Sequence, residues 1–294
     1  FLTKPQFWAD WPAGDYPGVV GADHAHWRGH YTAHINTLRA ILEYAVAVND
    51  VRLMQFVRDG YEWSRQQVFS RIGFGGGCCG NPRLLGLAVE LSDAGVGDYW
   101  EDVDLYIRNH VTEMQFTPED IPYLKVLGGQ AAKDEYINNM IGGFGWVIFK
   151  DRRQLCCSPH GNMGLFYAWD GTLRYSDGVA RVNLLLNRAS PWMDIDSYIP
   201  YQGKVVIRNK TARELYVRIP LWADRKAIRC IRGSKDLPIV WSGSYIHINR
   251  LRPGDVLIVL FPMAERIEKW NVYFWEKPKD LPNPQVYTLK FKGN

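Results

Sequence analysis

The sequence predicts a mixed α and β protein of two modules: repeated helical hairpins followed by an antiparallel β-sandwich. Three observations predict it. From Thr37 to about Glu113 apolar residues recur three and four apart. Short turns with glycine or aspartate separate these stretches, as in helical hairpins. Beyond Gly171 the period changes to that of strands, with no helical stretch between them. The boundary falls near residues 170 to 180, giving a helical module over 1–175 and a sheet module over 176–294.

The first element holds Asp23-His-Ala-His-Trp-Arg-Gly-His-Tyr-Thr-Ala-His34, which contains four of the seven histidines. On a helix His26, His30 and His34 stack on one face. That spacing suits metal ligands, a base or a wall for a sugar, and a plain helix-face role is the alternative. No glutamate follows the first histidine of a pair, so the zinc-protease signature is absent. From Thr37, Leu38, Ile41, Leu42, Tyr44, Ala45 and Val48 form an apolar stripe. A second helix spans roughly Val51 to Gln67 and ends before a glycine-rich turn. Asn81-Pro82 then reads as the cap and first turn of a helix through Leu91. The next helix runs to about Glu113, with Trp100, Val103, Ile107, Val111 and Met114 on one stripe. A polar loop follows from Thr117 to Ala132, and helix resumes over 133–141. Met163–Trp169 has the pattern of a short buried helix.

The strands expected in the second module are Val179–Leu186, Lys204–Arg208, Leu215–Ile219, Ser244–Ile248 and Asp255–Phe261. In the third, Leu215, Val217 and Ile219 alternate with Tyr216 and Arg218, which places the two sets on opposite faces.

Cysteine usage is the most specific chemical signal. Four of the five cysteines form two adjacent pairs, Cys78-Cys79 and Cys156-Cys157. Adjacent cysteines rarely bond to each other, because the joining peptide would be strained. One reading is a structural disulfide or inert buried thiols; the other is a thiolate or metal site. Each pair precedes a predicted helix, where free amide groups and the dipole favour a thiolate.

Composition excludes several classes. A formal charge of +4 without a long basic run argues against nucleic acid and membrane surfaces. No span approaches the length of a transmembrane helix. Twelve tryptophans and sixteen tyrosines are numerous enough to line a carbohydrate groove, although large cores also use them. The chain opens without methionine or signal pattern, so it reads as the later part of a longer chain. The odd cysteine count favours a reducing, cytoplasmic setting.

Taken together, Ala45-Val-Ala-Val-Asn-Asp50, the glycine-cysteine turn, Leu91–Asp102, Cys156-Cys-Ser-Pro159, Arg218-Ile-Pro-Leu-Trp222 and Leu251-Arg-Pro-Gly-Asp255 with Phe261-Pro-Met263 resemble the DUF1680 proteins. That group contains the glycoside hydrolase family 127 β-L-arabinofuranosidases, and the resemblance covers about residues 20 to 265. It implies an α/α toroid, part of an (α/α)6 barrel, ahead of the sandwich. Such a barrel needs about twelve helices, and about six are visible, so a missing N-terminal half or an oligomeric partner is expected. The resemblance also implies a carbohydrate substrate and a retaining mechanism with a cysteine nucleophile, falling on Cys156. It implies Zn2+ held by three cysteines, falling on Cys79, Cys156 and Cys157, and a glutamate; without that glutamate the fourth ligand falls to Cys78, a histidine or water. Gly77 stands where a ligand glutamate is expected. Glu62 and Glu90 are the nearest candidates for the general acid, and each also reads as an ordinary helix-face carboxylate. His26, His30, His34 and His160 are the candidate substrate-binding residues. The alternative is an incomplete relative that binds a carbohydrate or a protein.

Overall fold

The computed structural model describes residues 31–66, 73, 77–122, 125, 138–145, 156–272 and 285–293. His26 and His30, the side chain of Cys78 and most of the helix expected over 133–141 lie outside the described residues. The architecture is mixed, with an N-terminal helical region and a C-terminal sheet region. The chain divides into two compact units, Phe1–Ala168 and Trp169–Asn294. No helix among the described residues is long and apolar enough to cross a membrane.

In the first unit, α1 (Tyr31–Ala47) buries Ile35, Leu38, Leu42 and Ala45 along one stripe. A tight turn with Asn49 in the left-handed region at φ 54° leads into α2 (Val51–Arg65). Asp50 caps α2 by accepting from the amides of Arg52 and Leu53 at 3.0 and 3.1 Å. Next, α3 (Gly77–Asp93) starts four residues before the expected cap. Asn81 does not cap it: its amide donates to the Gly73 carbonyl at 3.0 Å, and Pro82 lies inside the helix.

The stripe Trp100, Val103, Ile107, Val111 and Met114 is buried as its spacing predicts. The winding beneath it is not uniform. After α4 (Trp100–Tyr106) the chain widens to a π turn over Ile107–Val111 and tightens to a 3-10 turn over Thr112–Met114. Asp102 is buried beside this helix and accepts from Tyr61 Oη at 2.6 Å and from Arg65 at 2.9 Å.

The last helix of the unit is α5 (Cys157–Gly171). Met163, Phe166 and Trp169 are exposed on it, which corrects the expectation of a buried helix. Gly161, Gly164 and Ala168 form its buried face instead. Small residues there allow close helix packing, so the bulky side chains point away.

The second unit contains two five-stranded sheets. Their orders are β1(Leu173–Ser176)-β2(Val179–Val182)-β5(Glu214–Arg218)-β9(Tyr245–Ile248)-β8(Trp241–Ser242) and β3(Met193–Ser197)-β4(Lys204–Asn209)-β10(Val256–Leu260)-β6(Arg229–Arg232)-β7(Lys235–Leu237). Both contribute to one apolar cluster, with Ala180, Leu215, Val217 and Ile246 from the first and Ile195, Val205, Ile207 and Val259 from the second. The first sheet is not wholly antiparallel. After β2 the chain crosses to build β3 and β4 in the other sheet, then returns as β5 parallel to β2. Arg218 lies on the outward face of β5 yet is buried, donating from Nε to the Asn183 carbonyl at 3.0 Å. A separate hairpin pairs β11 (Glu265–Val272) with β12 (Gln285–Lys292).

Burial holds two histidines of the helical unit neutral. His34 and His110 are each lowered from 6.5 to about 4 by desolvation. Between those values the unfolded chain binds protons that the folded chain refuses. Their contribution is therefore fully present above about pH 6.5 and is lost as pH falls towards 4. The urea unfolding midpoint is expected to drop across that window, and His110→Gln to flatten part of the slope. A slope unchanged in the variant would remove His110 from this account.

Candidate active site

Two helix starts build the site. Cys79 lies in the first turn of α3, with Arg83 one turn further on. Cys156 immediately precedes α5, and its carbonyl accepts the His160 amide at 3.4 Å. Residues four apart on a helix share a face, so Cys79 stacks with Arg83 and Cys156 with His160. The two stacks meet. A ligating atom from each of Cys79, Cys156 and His160 lies within 4.8 Å of the other two, and Arg83 Nη2 lies 2.5 Å from His160 Nε2. Cys79 is buried and Cys156 exposed.

Glycines permit this approach. A methyl group on Gly164 would come within 2.9 Å of the Pro82 side chain, and one on Gly86 within 2.9 Å of the Tyr167 ring. The start of α5 is anchored by Ser158, whose hydroxyl accepts the Phe144 amide at 3.1 Å. Gly161 packs directly on the Phe144 ring.

Burial pushes the Cys79 thiol up to about 12, with the neighbouring Cys156 adding to the shift and the Arg83 guanidinium opposing it. His160 is lowered by burial and then by the charge of Arg83, with the Cys156 main chain offsetting part of this. Arg83 is itself lowered, first by burial, while the two thiols favour its charge and Arg39 disfavours it. Its Nη1 donates to the Thr32 carbonyl at 3.3 Å. Arg39 lies 4.6 Å from the centroid of the Tyr167 ring and is held by Glu90, whose two oxygens each accept from its Nε at 3.1 Å.

The chain shares its fold with a GH127 β-L-arabinofuranosidase. That structure, Ara127N-Se from Geobacillus stearothermophilus T6, aligns with a TM-score of 0.58 at 14% identity. The alignment covers 83% of this chain and 44% of that one, so the chain spans less than half of the length it matches. Two further solved structures align at TM-scores of 0.43 and 0.38, with 16% and 14% identity. The first is described as a glycoside hydrolase and aligns over 64% of this chain and 33% of its own. The second is a GH127 β-arabinofuranosidase, aligned over 78% and 51%. No family model and no curated protein matches the sequence.

Of the expected site residues, Cys79, Cys156 and His160 come together. Cys157 does not join them: it is fully buried and disulfide-bonded, so its sulfur is not a free thiolate. Successive helical residues point about 100° apart, which turns Cys157 inward when Cys156 faces outward. Among the described residues the cluster includes neither Glu62 nor Glu90. Glu62 pairs with Arg65 at 3.4 Å and accepts from Tyr99. His34 meets the Trp63 ring edge-on, with centroids 5.5 Å apart. Arg83, Arg39 and Tyr167 were not foreseen. The four-residue spacings Cys79–Arg83 and Cys156–His160 were the available signal.

The donor set of two sulfurs and an imidazole can coordinate a soft or borderline metal ion. His160 Nδ1 is buried without a well-formed hydrogen bond, which leaves it the nitrogen available to such an ion. Arg83 opposes loading, because donation to Nε2 keeps the proton of the neutral ring on Nδ1. A metal there requires Arg83 to turn aside and the ring to change tautomer.

Proposed function

We propose that the chain is a glycoside hydrolase-like enzyme that cleaves β-L-arabinofuranosides or related glycans with retention, using Cys156 as nucleophile. The observation that carries this reading is an exposed thiol beside a second thiol, an imidazole and a guanidinium at two facing helix starts. The shared fold with a GH127 β-L-arabinofuranosidase supports it. We read the helices as part of an (α/α)6 toroid.

The Cys156 sulfur attacks the anomeric carbon, a C–S bond forms, and the leaving oxygen takes a proton from an acid. Water, giving its proton to the conjugate base of that acid, then attacks from the face opposite the sulfur, the C–S bond breaks, and the second inversion restores the starting configuration. Glu62 is the better candidate for the acid, because both oxygens of Glu90 are engaged by Arg39. While no metal is held, Arg83 orients His160, and Tyr167, backed by Arg39, offers a ring to the apolar face of a sugar. Cys79, Cys156 and His160 would hold zinc, which when bound would keep the thiols ionised. A second reading, a non-catalytic carbohydrate- or protein-binding relative, is favoured by Gly77 and the bonded Cys157, since neither supplies its expected ligand.

A synthetic aryl β-L-arabinofuranoside tests the proposal, with the first-formed product anomer followed by NMR. Retained configuration is expected; an inverted product would exclude a cysteine intermediate, and binding without turnover would favour the second reading. Elemental analysis of reduced protein should find about one zinc per chain, lost in Cys79→Ser. Zinc-free wild-type protein would end the metal reading.

A further inference from the structure

We infer that Cys79 and Cys156 form an oxidisable thiol pair, in which Cys156 captures a small-molecule disulfide such as oxidised glutathione and Cys79 resolves it. Three observations carry this. Neither cysteine is in a disulfide, and their sulfurs lie within 4.8 Å of each other. They differ in access: Cys156 is exposed and Cys79 buried, so a reagent meets Cys156 first. Cys157, the next residue, is already disulfide-bonded, so the start of α5 accommodates a sulfur–sulfur bond.

The chemistry is balanced by the reagent itself. The Cys156 thiol gives its proton to solvent, and its sulfur attacks one sulfur of oxidised glutathione. The glutathione S–S bond breaks, a protein–glutathione S–S bond forms, and one glutathione leaves as a thiolate that takes up a proton. Cys79 then gives up its proton and attacks the Cys156 sulfur, and the second glutathione leaves. Two protein thiols are oxidised and one small disulfide is reduced to two thiols. An exposed capturing cysteine with an adjacent resolving cysteine is the arrangement that prevents overoxidation. Closing the pair also removes the nucleophile and two of the three metal donors, and a reducing thiol restores them.

The test does not depend on glycosidase activity. Full-length protein is incubated with oxidised glutathione, denatured, alkylated and weighed intact. The number of alkylatable thiols should fall by two per chain, with no glutathione retained, and should return after mild reduction. In Cys79→Ser the reaction should stop with one glutathione held on the protein, and in Cys156→Ser neither closure nor capture should occur at these positions. Circular dichroism checks that each variant is folded. A stable glutathione adduct on wild-type protein would show that Cys79 does not resolve, and an unchanged thiol count would show that Cys156 does not capture. Either result overturns the inference. If the pair closes but no glycan is cleaved, the proposed activity falls and the thiol pair stands.

Discussion

Replacing Cys156 with alanine is expected to lower turnover of an arabinofuranoside by on the order of 10³-fold or more, the scale of losing a covalent nucleophile. The argument separates chemistry from folding. Cys156 is exposed, so removing its sulfur opens no core cavity, and the free energy of unfolding should stay within about 0.5 kcal/mol of the parent. Substrate binding should persist, because Tyr167, Arg39 and Arg83 are untouched. Turnover and unfolding measured on the same preparation decide the matter. Full activity in Cys156→Ala would remove the cysteine mechanism, whereas lost activity with a collapsed midpoint would reassign the residue to the fold.

Gly161→Ala should destabilise the helical unit and disturb the site together. Helix propensity alone favours alanine over glycine by about 1 kcal/mol, so an unopposed substitution would stabilise α5. Sterics oppose it here. The added methyl group would overlap the Phe144 ring, which is fully buried. That ring has little freedom to retreat: the Phe144 amide is tied to Ser158, and the residue pairs across a β-bridge with Gln115. Overpacking of this kind costs about 1–3 kcal/mol, enough to outweigh propensity. The unfolding midpoint should fall, and because His160 is the adjacent residue, reaction of Cys156 with an alkylating reagent should change rate as well. A midpoint at or above that of the parent would show that Phe144 yields more readily than its burial implies.

Much of the local structure was legible from residue order. The second helix starts at Val51 as expected, and the stripe from Trp100 to Met114 and the alternation of Leu215 and Val217 mark their buried faces. Each depends on neighbours within a turn or a strand, whose geometry repeats with a fixed period. One cysteine from each pair also falls in the Cys79–Cys156–His160 cluster.

Long-range partners were not legible. Asn81 resembles a cap but spends its amide on Gly73, and the start of α3 moves accordingly. Glu90 resembles a free helix carboxylate until Arg39, far away in sequence, occupies both of its oxygens. By itself the sequence determined many of the helical and extended stretches and singled out the cysteines, because backbone periodicity and side-chain type are local properties. Only the tertiary structure decided that Cys157 is disulfide-bonded and Cys156 is not, and that among the described residues His160 rather than a third cysteine completes the cluster. The reason is angular: adjacent residues at a helix start point about 100° apart, and which one faces a partner is set by how α3 and α5 pack.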